Sequence, residues 1–216
     1  KAGAAAISQV SRERVRDELL KMLTPQSRGA ARRAFELLDE SGLLDILLPE
    51  AAKMKGVAQP PEHHPEGDVW EHVRRMLALV DGLDGPSATL AWGALLHAVG
   101  KPVTFSVSDR IRFSGHDALG AEMVDAIARR LRFANRDRER VRDLTAHHMR
   151  FRNVRQMRPS KLKRFLREDY FPELLELHRI DCQASHGLLD LYEFCREALR
   201  QADAEGRADG LRPAPL

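Results

Sequence analysis

Several side chains of this sequence have the types and separations that could hold a metal ion. His72 sits mid-helix in GDVWEH, His97 closes a strongly apolar segment, and His116 opens GHDALGAEM. His147 and His148 are adjacent near the end of another helix, and Asp181 falls in the middle of LHRIDCQASHG. These groups lie on different predicted helices, so all can face one bundle interior, which is how helical bundles build metal sites. Imidazole and carboxylate together suit divalent transition ions. A lone buried histidine reads as a neutral core residue with both nitrogens hydrogen-bonded; an ordered set of them asks for more. His147 and His148 point about 100° apart on a helix, so one is expected at the metal and the other at substrate or a second ion. His178 shares the face of Asp181 and either orients a ligand or is core. His63, His64 and His186 read as structural or surface groups, because the Pro-rich loop around His63 and His64 has no partner ligand at helical spacing. Cys182 and Cys195 are too few for a disulfide framework or a thiolate site.

The elements that must position these groups are nearly all helices. Ser11 is a candidate N-cap for RERVRDELLKML, and Pro25 is its expected end. A second helix is expected over Arg28 to Asp39, and a Pro/Gly-rich loop follows Pro49. Helices are predicted over 68–80, 87–99, 116–131, 137–149, 159–168, 172–185 and 188–203. The segment Ser87 to Val99 lacks a polar face and should be the buried centre. Only VTFSVS and RIRF look like strands. The fold class is all-α, with a helical piece over 1–58, a main helical domain over 59–204 and a tail over 205–216.

Composition narrows the setting. The chain has 216 residues, 43% hydrophobic and 31% charged, a globular mix. Its longest nearly apolar stretch, Leu90 to Leu96, is far short of a membrane span. No charged-then-apolar leader opens it, so a cytoplasmic location without membrane contact is expected. The net charge is only +3. Over 128–167, however, fifteen Arg or Lys face three Asp or Glu. Arg150, Arg152, Arg155, Arg158, Lys161, Lys163, Arg164 and Arg167 could therefore line a phosphate-binding, RNA-binding surface. The competing reading, a solvated helix face with i,i+4 ion pairs, covers 136–143 but not 150–167, where acids are absent.

The order His72, His97-Ala98-Val99-Gly100-Lys101, His116, His147-His148, Asp181 resembles the signature of the HD-domain metal-dependent phosphohydrolases. PEHHPEGDVWEH, LLHAVGKPVTF, RIRFSGHDALGAEM, LKRFLR and LHRIDCQASHG are similar to the HD part of bacterial tRNA nucleotidyltransferases and poly(A) polymerases. SRERVRDELLKML and LLDESGLLDILLPE look like the helical neck and RNA-binding part of those enzymes. The resemblance covers roughly residues 5 to 200. It implies an HD-type helical bundle with a two-ion site for Fe, Mn, Ni, Co or Zn. It also implies His72, His97, His116, His147, His148 and Asp181 as ligands, with Lys101 and His147 at the chemistry.

Two departures from the family pattern matter. Paired carboxylates of a nucleotidyl-transfer head are missing from the text, so a head that is deleted or on a separate chain is expected. Ala98 stands where the pattern has the aspartate that bridges the ions. It reads as an introduced inactivating change, with a naturally degenerate site as the alternative.

The chemistry implied is hydrolysis of phosphate esters, for which divalent ions lower the pKa of water and clamp phosphoryl oxygens. Lys101 would contact a phosphate oxygen as a point charge; otherwise it is a cation welcomed at a helix C-terminus. The expected function is a 2′,3′-cyclic phosphodiesterase or phosphatase on nucleotides or RNA 3′ ends, including tRNA, impaired by Ala98. The alternative is a tRNA-grasping module without turnover.

Overall fold

The segment ATLAWGALL is apolar on every side, and the fold is assembled around it. The computed structural model describes residues 4–24 and 30–210. After a 3-10 stretch (Ala4–Gln9) come α1 (Arg12–Leu23), α2 (Ala30–Glu40), α3 (Leu43–Leu47), α4 (Pro49–Ala52), α5 (Val69–Val80), α6 (Ala88–Leu96) and α7 (Lys101–Thr104). A hairpin of β1 (Phe105–Val107) and β2 (Ile111–Phe113) precedes α8 (His116–Arg130) and α9 (Asn135–His147). A second 3-10 stretch (His148–Gln156) leads to α10 (Pro159–Leu166), α11 (Phe171–Ala184) and α12 (Asp190–Gly210). The class is all-α, and the two short strands pair antiparallel with Phe105 opposite Phe113 and Val107 opposite Ile111.

Local chemistry sets the helix starts. Ser11 accepts from Arg14 N at 3.4 Å, Asp68 from Glu71 N at 2.8 Å and Ser87 from Leu90 N at 3.1 Å, each satisfying a donor that the first turn leaves free. Thr89 to Leu96 of α6 are all buried, and α5, α9 and α11 pack against them. α6 ends at Leu96, three residues before the expected Val99, and the chain turns through His97–Gly100. α12 continues to Gly210, into the stretch expected to be a tail. The expected helix end at Pro25, the start at Arg28 and residues 211–216 lie outside the described residues.

The N-terminal helices share a continuous core with the rest, including Leu19, Phe35, Leu44 and Met54 beside Val73 and Leu77. The Asp81 carboxylate, just past α5, caps α2 by accepting from Ala31 N at 2.9 Å and Arg32 N at 3.2 Å. Arg74 of α5 donates to Glu36 of α2 at 2.9 Å, and this holds the Glu36 carboxyl down to about 2. Arg130 of α8 forks onto Glu50 at 2.6 and 2.8 Å.

The turn after α6 is pinned to the start of α8. A Cβ on Gly100 would run into the carbonyl oxygen of His116 and stand 2.9 Å from Gly120 N. Only a glycine lets these backbones meet, and their meeting sets His97 beside α8. Gly100→Ala is expected to destabilise the protein by about 3 kcal/mol, read as a lower midpoint in urea unfolding. An unchanged midpoint would show that the two segments can separate freely.

Candidate metal centre

Five elements deliver side chains to one interior point. His72 comes from the middle of α5, His97 caps the C-terminus of α6, His116 is the first residue of α8, His148 caps the C-terminus of α9, and Asp181 lies on α11. With His64, the rings form a row: centroids are 5.0 Å apart for His64–His72, 5.3 Å for His72–His97, 5.4 Å for His97–His148 and 5.1 Å for His148–His116.

Hydrogen bonds fix which nitrogen of each ring faces inward. His97 Nδ1 donates to Ala94 O at 3.1 Å, His148 Nδ1 to Thr145 O at 2.7 Å and His116 Nδ1 to Phe113 O at 2.9 Å. His72 Nδ1 donates to Glu66 Oε1 at 2.6 Å. With Nδ1 carrying the proton, each Nε2 presents a lone pair, the form in which imidazole binds metal. The inward atoms then lack ordinary partners. His97 Nε2 and His72 Nε2 are buried without an aligned hydrogen-bond partner among the described residues. His72 Nε2 stands 3.0 Å from Asp181 Oδ1, and His116 Nε2 stands 3.1 Å from His148 Nε2. Two acceptors facing each other at that distance need a proton or a cation between them. Ligand atoms of His72, His97 and Asp181 all lie within 4.8 Å of one another. The donor set and its orphaned atoms fit a divalent ion.

Charge agrees with this. Burial holds His97 and His148 below the ordinary imidazole range and takes His116 to about 4, so these rings are neutral at pH 7. Burial also pulls on His72, but the carboxylates of Asp181 and Glu66 on either side raise it. Against burial, His72 holds Asp181 well below the carboxylate range. Ala98, fully buried beside His97, contributes only a methyl group where the sequence pattern expected a carboxylate.

A cleft of about 560 Å³ opens onto this cluster and is lined by His97, Lys101, His116, His148 and Asp181. Lys101 is only 6% exposed. Its ammonium donates to Gln59 Oε1 at 2.6 Å and lies 5.4 Å from the Phe113 ring centre. Burial lowers its pKa to about 8. His178 also lines the cleft, stacked flat on Phe151 at 4.0 Å, and burial takes it down to about 4.

The geometry departs from expectation at three places. His147 does not enter the cluster: it stacks on Tyr170 at 5.1 Å and is not among the cleft-lining residues. Its neighbour His148 occupies the inward direction, and the next ring along the helix must turn aside. His64, expected to be structural or surface, donates to Glu66 Oε1 at 2.8 Å. Glu66 itself escaped the sequence reading. It is buried, receives both His64 and His72, and is held at about 2 by those hydrogen bonds against the opposing effect of burial. The usable signal was a carboxylate six residues before a helical histidine, in a turn that folds back on its own helix.

The basic tract divides in two. Arg150 lies over the Phe165 ring and donates to Tyr170 Oη; Arg155 lies over Phe194 near Asp190. Lys163 is also engaged. Arg152, Arg158, Lys161, Arg164 and Arg167 are exposed and have no carboxylate partner among the described residues. No helix among the described residues is long and apolar enough to cross a membrane.

Comparison with known proteins places two family patterns on the chain. The HD domain pattern matches residues 69–181, and the pattern described as "Probable RNA and SrmB- binding site of polymerase A" matches residues 1–55. The chain is 36% identical over 181 residues to an A-adding tRNA nucleotidyltransferase of Deinococcus radiodurans, covering 81% of this chain and 40% of that protein. It is 37% identical over 186 residues to a CC-adding tRNA nucleotidyltransferase of Thermus thermophilus, covering 82% and 41%. A multifunctional CCA protein of Pseudomonas paraeruginosa is 32% identical over 160 residues, covering 71% and 38%. The chain thus spans about two fifths of the length of these curated relatives.

Because Glu66 fixes the His72 tautomer, Glu66→Gln is expected to weaken divalent-ion binding by about 10- to 100-fold. A Co(II) titration followed by visible absorption reads this, and unaltered affinity would show that His72 is oriented by packing alone.

Proposed function

This chain belongs to the HD-domain family, and on that premise we propose that it is a metal-dependent phosphohydrolase module. Its substrates on this reading are phosphate esters of nucleotides or RNA 3′ ends, tRNA among them: it opens 2′,3′-cyclic phosphates and removes monophosphates, in a form impaired by Ala98. The observation that carries the reading is the meeting of ligand atoms of His72, His97 and Asp181 within 4.8 Å, next to the His116–His148 pair, beside a cleft that Lys101 also lines.

His72, His97 and Asp181 would hold one divalent ion, and His116 with His148 a second. The imidazole-rich set suits Fe, Mn, Ni, Co or Zn. A divalent ion supplies an activated water and stabilises charge on phosphoryl oxygens. The protein's own part is to keep the rings neutral and aimed, through Glu66 and the three backbone carbonyls. Lys101 offers a desolvated positive charge to a phosphate oxygen, strengthened by the low dielectric around it.

A second reading, an RNA-binding module without turnover, is favoured by Ala98 and by the unpaired cations Arg152, Arg158, Lys161, Arg164 and Arg167. The match of residues 1–55 to an RNA-binding pattern supports RNA as partner under either reading. A nucleotidyl-transfer head, on the same or another polypeptide, would be the remaining partner.

The test compares this chain with its Ala98→Asp variant for metal content by mass spectrometry and for hydrolysis of 2′,3′-cyclic AMP. The variant is expected to gain bound metal and turnover. If neither form binds metal or hydrolyses the substrate, the binding module is the better account.

Lys101 sets a pH expectation. Its ammonium is charged below about 8 and neutral above, so affinity for a 3′-nucleotide should fall as pH rises through that value. Lys101→Met should lose affinity at pH 7 and lose this step. Competition binding between pH 6.5 and 9.5 reads both, and a flat profile in the unmodified chain would remove Lys101 from phosphate recognition.

A further inference from the structure

Exposed large apolar side chains gather on one short segment. Val103 is 61% exposed, Phe105 42% and Val107 64%. The strand register puts Phe105 beside Phe113 and Val107 beside Ile111, on one face of the hairpin. Ile111 and Phe113 line the cleft, so this apolar face continues the cleft wall out into solvent.

Charge surrounds the same opening. Arg110, at the hairpin turn, and Arg152, on the 3-10 stretch, both line the cleft and are exposed. Neither forms an ion pair with a carboxylate among the described residues, although Arg110 adjoins Asp109 and helps to lower its pKa. Arg112 also lines it, but pairs with Asp109 at 2.6 Å. Glu62 and Asp190 are the acids of the rim, and Asp190 stands 3.8 Å from Arg155. An exposed ring on the same hairpin as a guanidinium group outside any ion pair matches a single nucleic-acid strand, whose bases stack while its phosphates meet the cations. A purely apolar partner would cover Phe105 and Val107 but leave Arg110 and Arg152 unanswered.

We infer that the hairpin seats the nucleotides preceding the terminal one. Phe105 stacks a base and Arg110, with Arg152 across the mouth, takes phosphates of the strand. The cleft therefore receives the end of a single-stranded RNA in preference to a free mononucleotide. This rests on the reading of the cleft as a site for RNA 3′ phosphates.

The test measures fluorescence anisotropy of labelled eight-nucleotide RNAs ending in 3′-phosphate or 3′-hydroxyl, with a 3′-mononucleotide as competitor. It uses the chain as it stands, Phe105→Ala, Phe105→Ala/Arg110→Ala, and Phe105→Tyr. The oligonucleotide with 3′-phosphate is expected to bind at least tenfold tighter than the mononucleotide. The double variant should lose about tenfold or more for both oligonucleotides, and the dependence of log affinity on log salt should flatten by about 0.7. Phe105→Ala alone, outside the cleft lining, should leave mononucleotide affinity within twofold, and Phe105→Tyr should bind like the parent, which separates lost stacking from lost folding.

Unchanged oligonucleotide affinity in the double variant overturns the inference. So does a change confined to self-association by light scattering, which would make the hairpin a contact between copies. If 3′-phosphate and 3′-hydroxyl RNAs bind equally while the double variant still loses both, the cleft reading fails and the hairpin's grip on the strand stands.

Discussion

Four imidazoles can share a buried interior with their Nε2 atoms pointing at each other only if each Nδ1–H has an acceptor elsewhere. That acceptor decides the tautomer, and the tautomer decides whether the interior is a set of ligands or a set of donors. Two of the acceptors come from a repeated device. His97 caps α6 and donates to Ala94 O, while His148 caps α9 and donates to Thr145 O. In both, the carbonyl lies three residues back, in the last turn, where a helix leaves its C=O groups without intrahelical partners. Placing a histidine at a helix C-terminus thus solves two problems together. The orphan carbonyl gains a donor, and the ring is locked with its lone pair inward.

The remaining structure holds these helix ends in register. Gly100 lets the turn after α6 close on the backbone of His116 and Gly120, and this contact sets the His97 end of the cluster against the His116 end. α5 carries His72, and α2 braces it through the Asp81 cap and the Glu36–Arg74 ion pair. Glu36 and Arg74 are partly exposed, so the pair contributes little energy by itself; the shared apolar core between the two helices does more. The segment matched as RNA-binding is in this way packed directly on the helix that presents a candidate ligand.

Much of this was legible in the sequence because it is periodic or ordered along the chain. The buried α6, the strand-like text of VTFSVS and RIRF, and the cap Ser11 follow from local chemistry. His97 stood out because histidine is rare in apolar text, and the other candidate ligands through their order along the chain. What escaped were groups whose role exists only in three dimensions. Glu66 and His64 sit in a Pro-rich turn, and nothing in their spacing announces that the turn folds back over His72. Gln59 faces Lys101 across forty-two positions of sequence. The choice between His147 and His148 is set by which one caps α9, and helix ends are the least legible boundaries.

Position 98 bears on the electrostatics of the interior as well as on the candidate ligand set. Glu66 and Asp181 are the carboxylates of the cluster, and they face His72, raised by both, and Lys101, which both also favour in its charged form. Two negative groups thus meet two groups able to carry positive charge within the protein itself. An aspartate at position 98 would add a third carboxylate at a fully buried position, and a buried charge without a partner is strongly destabilising. A bound divalent ion would supply that partner, coupling metal binding to stability. With a methyl group at this position the side chains balance one another, and the bundle can hold its rings in place whether or not the ligand atoms are engaged. An aspartate at this position would tie the fold to a bound cation, and an alanine does not.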